Sequence, residues 1–438
     1  MSEVEARADA RKLNFAEVTA LGVGGMIGGG IFAVLGLAIA VAGHAVALTL
    51  AGGGAIALLT GFSYAHLGLA FRGDGGSFTY IERAFAAPAI AGVAGWLLIV
   101  GYIGTLALYA SAFGDYGFAL LREAGLVAPS ADALASLVMA AFLAVNLIGA
   151  KFSGGVELAV VAGKVAILGL FVVVAGTGME ASHFIPLFDH GWFTPLAAVA
   201  LIFVAFEGFE LIPNAISEMR DPERNLRPAI LCAILVTTAI YILVAIVALG
   251  NLTPAEIQHD QEYVLAVAAK PKLGHAGFVM IAVAALLSTA SAINATLFGA
   301  ARLAMVMAQE HALPRVFALR ARNRPVPYVA LLVLTIVSLA FAVTANLAAI
   351  STLASVTFLL IFAAVNLAAF RLSKRIGLHP LLSLTGTLLT AGSCAILLWN
   401  LWRTDRGSIG WIAAFYGTAI LIEMALVWRR GVRRDKMN

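Results

Sequence analysis

Gly22-Val-Gly-Gly-Met-Ile-Gly-Gly-Gly-Ile-Phe32 lies in the middle of the first apolar run, which extends from Phe15 to about Gly43. Glycines stand there in place of the leucines and alanines that favour a helix. Each interior glycine costs about 0.8–1 kcal/mol of helix stability relative to alanine. Gly22, Gly24, Gly25, Gly28, Gly29 and Gly30 together therefore predict a break near Gly28–Gly30. Inside a bilayer, open backbone is tolerated only against protein or a wet cavity, so a glycine-broken helix at mid-depth points to a ligand site. The simpler reading is that small residues let helices pack closely. Spaced glycines fit that reading, but three in a row fit it badly. A nucleotide loop fails as well: Gly22-Val-Gly24-Gly25-Met26-Ile27 lacks the last glycine of G-x-G-x-x-G, and no soluble strand precedes it.

The rest of the chain supplies the bilayer. Of its 438 residues, 61% are hydrophobic and 12% charged, and the mean hydropathy is +0.96; a soluble domain carries about 25% charged residues. Twelve apolar runs are long enough to cross as helices, at approximately 15–43, 45–70, 89–120, 132–150, 154–177, 193–218, 228–250, 274–307, 326–346, 348–370, 381–402 and 409–428. The third and eighth exceed a spanning length. An even count puts both termini on one side. With the termini in the cytoplasm, 22 of the 28 lysines and arginines fall inside and five outside, as the positive-inside rule requires. The net charge of +4 is thus explained by topology, and no nucleic-acid partner is expected. Met1–Asn14 shows no cleavable signal pattern and is expected to stay in the cytoplasm. Cys232 and Cys394 sit inside apolar runs without a C-x-x-C partner and are assigned to packing.

Among the loops, Arg72–Tyr80 reads as a turn leading into a short interfacial helix, Ile81–Phe85, serving as a connector or part of an inner gate. Ser217–Pro228 reads as a charged, proline-bounded turn, Asn251–Lys272 as an outer loop with its own helical pattern, and His311–Pro327 as the most basic loop. In the sixth run, Phe203-Val-Ala-Phe-Glu-Gly-Phe-Glu-Leu-Ile-Pro-Asn214 places Gly208, Pro213 and two carboxylates mid-span. Each uncompensated charge costs about 2.5–3.5 kcal/mol there on insertion scales, so this run is predicted to break too. Two interrupted helices five runs apart are the pattern of a five-plus-five inverted repeat with substrate at its interface. The expected organisation is an N-terminal tail (1–14), a first repeat (15–177), a second repeat (193–370), two peripheral helices (381–428) and a basic C-terminal tail (429–438).

With both motifs in view, the chain resembles the amino acid–polyamine–organocation (APC) superfamily of permeases. The resemblance rests on Gly25-Met-Ile-Gly-Gly-Gly-Ile-Phe32, on Gly75-Gly-Ser-Phe-Thr-Tyr80 with Arg83-Ala-Phe85, and on Phe206-Glu-Gly-Phe-Glu210 followed by Asp221–Pro228. It covers essentially the whole chain, in order. It implies an all-α integral membrane protein of twelve transmembrane helices with the LeuT-like fold, helices 1 and 6 broken. It also implies secondary active transport of amino acids or related amines across the plasma membrane, without a cofactor. The chain looks most like the proton-coupled ApcT type, because Lys164 stands in the fifth run where that group has a lysine.

A broken helix exposes N–H groups at the positive end of the half beginning at the break, which suits an anion. A substrate carboxylate is therefore assigned to the amides of Gly28, Gly29 and Gly30. The family pattern suggests that the ammonium meets the carbonyls of Met26 and Ile27 and those of Val204, Ala205 and Glu207. Lys164 is the one basic residue placed inside a span. Desolvation disfavours a buried ammonium, so Lys164 can gain and lose the coupled proton; snorkelling is the alternative, and its central position argues against that. Sodium-coupled relatives hold a cation between the first and eighth helices, with Leu287-Ser-Thr-Ala-Ser291 supplying candidate hydroxyls here. Glu207 and Glu210 read equally as a second proton site or gate and as carboxylates satisfied locally. Phe206 and Phe209 read as a lid over substrate or as packing. Asp115 and Glu423 carry weaker signals. No histidine cluster suits a metal or an enzyme, and no continuous polar run suits a channel. Within the superfamily, an exchanger or a polyamine or amine permease is the alternative.

Overall fold

The computed structural model describes residues 12–73, 75–148, 154–310, 312–320 and 326–435. The tail up to Arg11, Lys151, Arg322, Arg324, Lys436 and part of the basic loop beginning at His311 lie outside them. The described chain is built from helices: α1 (Phe15–Ala42), α2 (Val46–Ala70), α3 (Gly76–Phe85), α4 (Pro88–Glu123), α5 (Ala131–Ile148), α6 (Gly154–Ala175), α7 (Thr194–Leu201), α8 (Leu211–Asn214), α9 (Pro222–Asn251), α10 (Pro254–His259), α11 (Val264–Gln309), α12 (Tyr328–Thr344), α13 (Leu347–Arg371), α14 (Ser373–Ile376), α15 (Pro380–Thr404) and α16 (Arg406–Asp435). Nine stretches among the described residues are long and apolar enough to cross a membrane, and one of them, Phe15–Ala70, holds both α1 and α2. The expected ninth run is the shorter apolar helix α12. The expected sixth is interrupted.

The expected break in the first run is absent. α1 is helical throughout its 28 residues, starting from a capping box in which Asn14 Oδ1 accepts from the amides of Ala16 and Glu17 while Glu17 Oε2 accepts from Asn14 N–H. The reason lies in its neighbours. Successive residues of a helix point about 100° apart, so three consecutive glycines face three directions. A Cβ at Gly28 would lie 2.6 Å from that of Ala292, one at Gly29 would run into the Tyr109 ring, and one at Gly30 would lie 2.9 Å from Ala205 Cα. Close approach of protein on three sides offsets the poor propensity, and in this conformation these glycines serve the packing of the helix.

The sixth run does break. α7 stops at Leu201, a single 3₁₀ turn covers Phe203–Phe206, and Glu207 is extended, with ψ 157°. Gly208 then takes φ 110°, and only the four residues of α8 are α-helical before a second 3₁₀ turn at Ile216–Glu218. That φ requires glycine, and a Cβ at 208 would lie 2.6 Å from the carbonyl carbon of Gly25. Gly25 and Gly208 therefore mark where α1 and the broken segment cross.

Two boundaries differ from expectation. α9 begins at Pro222, following Asp221 at φ 46°, and carries Pro228 inside it; a proline suits the first helical turn, while the one at 228 removes a backbone hydrogen bond. α3 starts at Gly76, earlier than the predicted Ile81. The loop 251–272 is helical as expected, and its turn at Gln261–Tyr263 packs on α1, where a Cβ at Gly36 would clash with the Gln261 carbonyl oxygen.

Candidate functional site

Breaking a helix leaves donors and acceptors without their i→i−4 partners, and buried groups of this kind must find others. At the sixth-segment break the partners are hydroxyls from distant helices. Ser351 and Ser355, one turn apart on α13, each donate to the Leu201 carbonyl at 2.8 Å, and Ser355 Oγ accepts from Val204 N–H at 3.0 Å. Tyr241 of α9 lies between the two crossing segments, its hydroxyl reaching the carbonyls of both Met26 and Ala205. A phenol has one proton, so these two carbonyls share it. Ser288 of α11 donates to the Ile27 carbonyl at 2.8 Å, and Val204 O accepts from Glu207 N–H at 3.1 Å. Tyr241 thus brings the carbonyls of Met26 and Ala205 to one hydroxyl, while those of Ile27 and Val204 bond to Ser288 and to Glu207 N–H. Each already has a donor from the protein in this conformation.

Glu207 and Glu210 are 4% and 1% exposed. Both face α4: Thr105 Oγ1 donates to Glu207 Oε2, and Tyr102 Oη donates to Glu210 Oε1 at 2.8 Å. Tyr64 of α2 donates to Glu210 Oε2 at 3.3 Å and lies 2.6 Å from Ser77 Oγ at the start of α3. Two buried carboxylates ringed by hydroxyls form an acceptor-rich centre suited to a cation or to a bound proton. Phe206 and Phe209 flank it with ring contacts. Phe206 meets Tyr241 edge-on with ring centroids 5.5 Å apart, and Phe209 lies between Tyr64 and Phe362 at 5.5 and 5.3 Å.

Lys164 is 2% exposed, in the middle of α6, which packs against both α1 and α11. Of the hydroxyls in Leu287–Ser291, Ser288 faces α1, whereas Thr289 donates back to the Ala285 carbonyl. Asp115 lies 3.5 Å from Ser111 within α4, whereas Glu423 of α16 accepts from the Trp96 indole of α4 at 3.2 Å and joins the two helices.

Sequence reasoning missed Tyr241, Ser351, Ser355, Tyr102, Thr105 and Tyr64. Their signal was available only as hydroxyls inside apolar helices, and many other spans carry such residues. Ser351 and Ser355 at i,i+4 share a helix face, which marks them out slightly more.

Both ends of α1 are tied to the flanks of the sixth segment. Leu13 N–H donates to the Glu218 carbonyl at 2.8 Å and Arg220 N–H donates to the Leu13 carbonyl at 2.9 Å, forming the single β-bridge among the described residues. At the other end, His44 N–H donates to Asp189 Oδ1 at 3.0 Å, and the His44 ring lies 2.8 Å from the Pro186 carbonyl.

The family model for amino acid permeases matches residues 13–424, which include every element of this crossing. The chain belongs to the amino acid permease family, within the APC superfamily. This permease is similar along almost its whole length to the inner membrane transport protein YbaT of Escherichia coli, with 28% identity over 97% of this chain and 99% of the relative. It is 28% identical to a methylthioribose transporter of Bacillus subtilis over 85% of this chain and 82% of the relative. It is 26% identical to the branched-chain amino acid permease BcaP of the same organism over 73% and 72%. The family and its apolar helices make this permease a multi-pass membrane protein, and the names of its relatives are those of transporters.

Proposed function

We propose that this permease imports amino acids across the plasma membrane by alternating access, coupled to protons through Lys164. The observation that carries the reading is the crossing of the glycine-rich α1 with the broken sixth segment at Gly25 and Gly208, beside two buried carboxylates. Broken backbone deep in a membrane protein is where transporters place substrate. The interrupted sixth segment and α12 bring the crossings to twelve, arranged as two inverted repeats of 15–177 and 193–370 with 381–428 peripheral and both termini cytoplasmic.

Substrate binding uses a second state of α1. Its seven glycines make this helix the cheapest of the long ones to open. Unwinding at Gly28–Gly30, with Tyr109 moving off Gly29, frees amides for the substrate carboxylate; the carbonyls of Met26, Ile27, Val204, Ala205 and Glu207 receive its ammonium. Protonated Lys164 bridges the helices on either side of it, α1 and α11, and loss of the proton releases them. Glu210, with Phe206 and Phe209 beside it, serves as gate or second proton site.

Two buried carboxylates also favour a second reading, an amine or polyamine permease. A competition assay against a bound labelled amino acid separates the two. Alanine, serine or glutamine should displace the label whereas putrescine and cadaverine, lacking the carboxylate, should not. Better competition by putrescine than by those amino acids would transfer the assignment to polyamines.

A further inference from the structure

At the N-terminal edge of the sixth-segment break, one side chain from another helix meets two freed backbone groups at once. In a continuous helix, Val204 N–H would bond to the Ala200 carbonyl and the Leu201 carbonyl would accept from Ala205 N–H. Neither pairing is made. Ala205 N–H turns to the Ile202 carbonyl at 2.9 Å, forming the 3₁₀ turn, and Ser355 Oγ stands in for both lost partners. It accepts from Val204 N–H at 3.0 Å and donates to Leu201 O at 2.8 Å, and its residue is fully buried. Ser351, one turn earlier on α13, adds a second hydroxyl to Leu201 O but none to Val204 N–H.

We infer that Ser355 is a positioning residue for substrate: it fixes the Val204–Glu207 backbone in its open form and so ties α13 to the N-terminal half of the sixth segment. This rests on the transport reading above, in which that backbone binds the ammonium. A single hydroxyl that both accepts and donates is the smallest group able to satisfy the two orphaned backbone groups at once. Without it, either a buried N–H stays unpaired or the turn rewinds towards an α-helix, and both outcomes move the Val204 and Ala205 carbonyls. Because the hydroxyl belongs to α13, a displacement of α13 away from the break has the same effect as its loss.

The test compares wild type with Ser355→Ala, Ser355→Cys and Ser355→Thr in purified full-length protein. Backbone hydrogen exchange over residues 199–206 is read without substrate, and equilibrium binding is read with a labelled amino acid chosen from a panel on the wild type. Exchange at Val204 should be faster in the Ala and Cys variants, with affinity reduced on the order of tenfold. Ser355→Thr, which keeps the hydroxyl, should restore both. Unchanged exchange in Ala and Cys would overturn the hydrogen-bonding role, and faster exchange with wild-type affinity would overturn the positioning role. Wild-type protein that binds none of the panel would overturn the amino-acid reading itself, a result seen before any variant is made.

Discussion

α1 keeps its helix through seven glycines, whereas the segment crossing it loses its helix around one. Gly28, Gly29 and Gly30 each have protein against the face where a side chain would be, and their backbone stays α-helical. Gly208 has φ 110°, lies between two buried glutamates, and is followed by Pro213. The difference shows that glycine content alone does not open a helix in a packed membrane protein. What opens it is a set of outside partners for the freed backbone groups, here Ser351, Ser355 and Tyr241, together with polar side chains that need partners of their own. α1 has some of these too, since Tyr241 and Ser288 bond to its Met26 and Ile27 carbonyls. Those carbonyls have a second lone pair each, so a helix can accept such bonds without breaking.

Substitution at Gly208 should give the largest effect on this contrast. Gly208→Ala adds a Cβ against the Gly25 backbone at a φ that L-residues rarely adopt, and should cost more than about 2 kcal/mol, read as a fall in the thermal midpoint of the purified protein. A midpoint equal to wild type would mean that the crossing is not as close as described. Gly29→Ala comes next, at about 1–3 kcal/mol, because its Cβ meets the Tyr109 ring. Tyr109→Leu in the same protein should recover part of that loss, and simple additivity of the two changes would break the argument that packing replaces propensity in α1. Asn14→Ala should have the smallest effect, about 1 kcal/mol, since it removes the cap from a helix that its neighbours already hold. A loss as large as that of Gly208→Ala would make α1 dependent on its cap instead.

These contrasts also mark what the sequence could and could not tell. Long apolar runs exposed most of the spans, and Glu207, Gly208, Glu210 and Pro213 exposed the sixth-segment break, because charge, glycine and proline act on the chain locally. The continuity of α1 was not legible. It depends on Tyr109, Ala292 and Ala205, which reach it from other helices. The hydroxyls of the break were hidden for the same reason: Ser355 meets Leu201 from 154 residues away, and Tyr241 meets Met26 from 215. Lys164 was the intermediate case: its place in a run pointed to burial, which the structure shows, while the helices packed against its own, α1 and α11, are visible only in the fold.

Coupling through Lys164 is the central claim, and gradient-driven uptake in proteoliposomes tests it most directly. Wild-type protein should accumulate a labelled amino acid more strongly as the outside solution is made acid, with sodium absent. Lys164→Ala should lose the dependence on the proton gradient whether or not it still binds substrate. Accumulation by Lys164→Ala at the wild-type level, or a strict requirement for sodium in the wild type, would contradict the account.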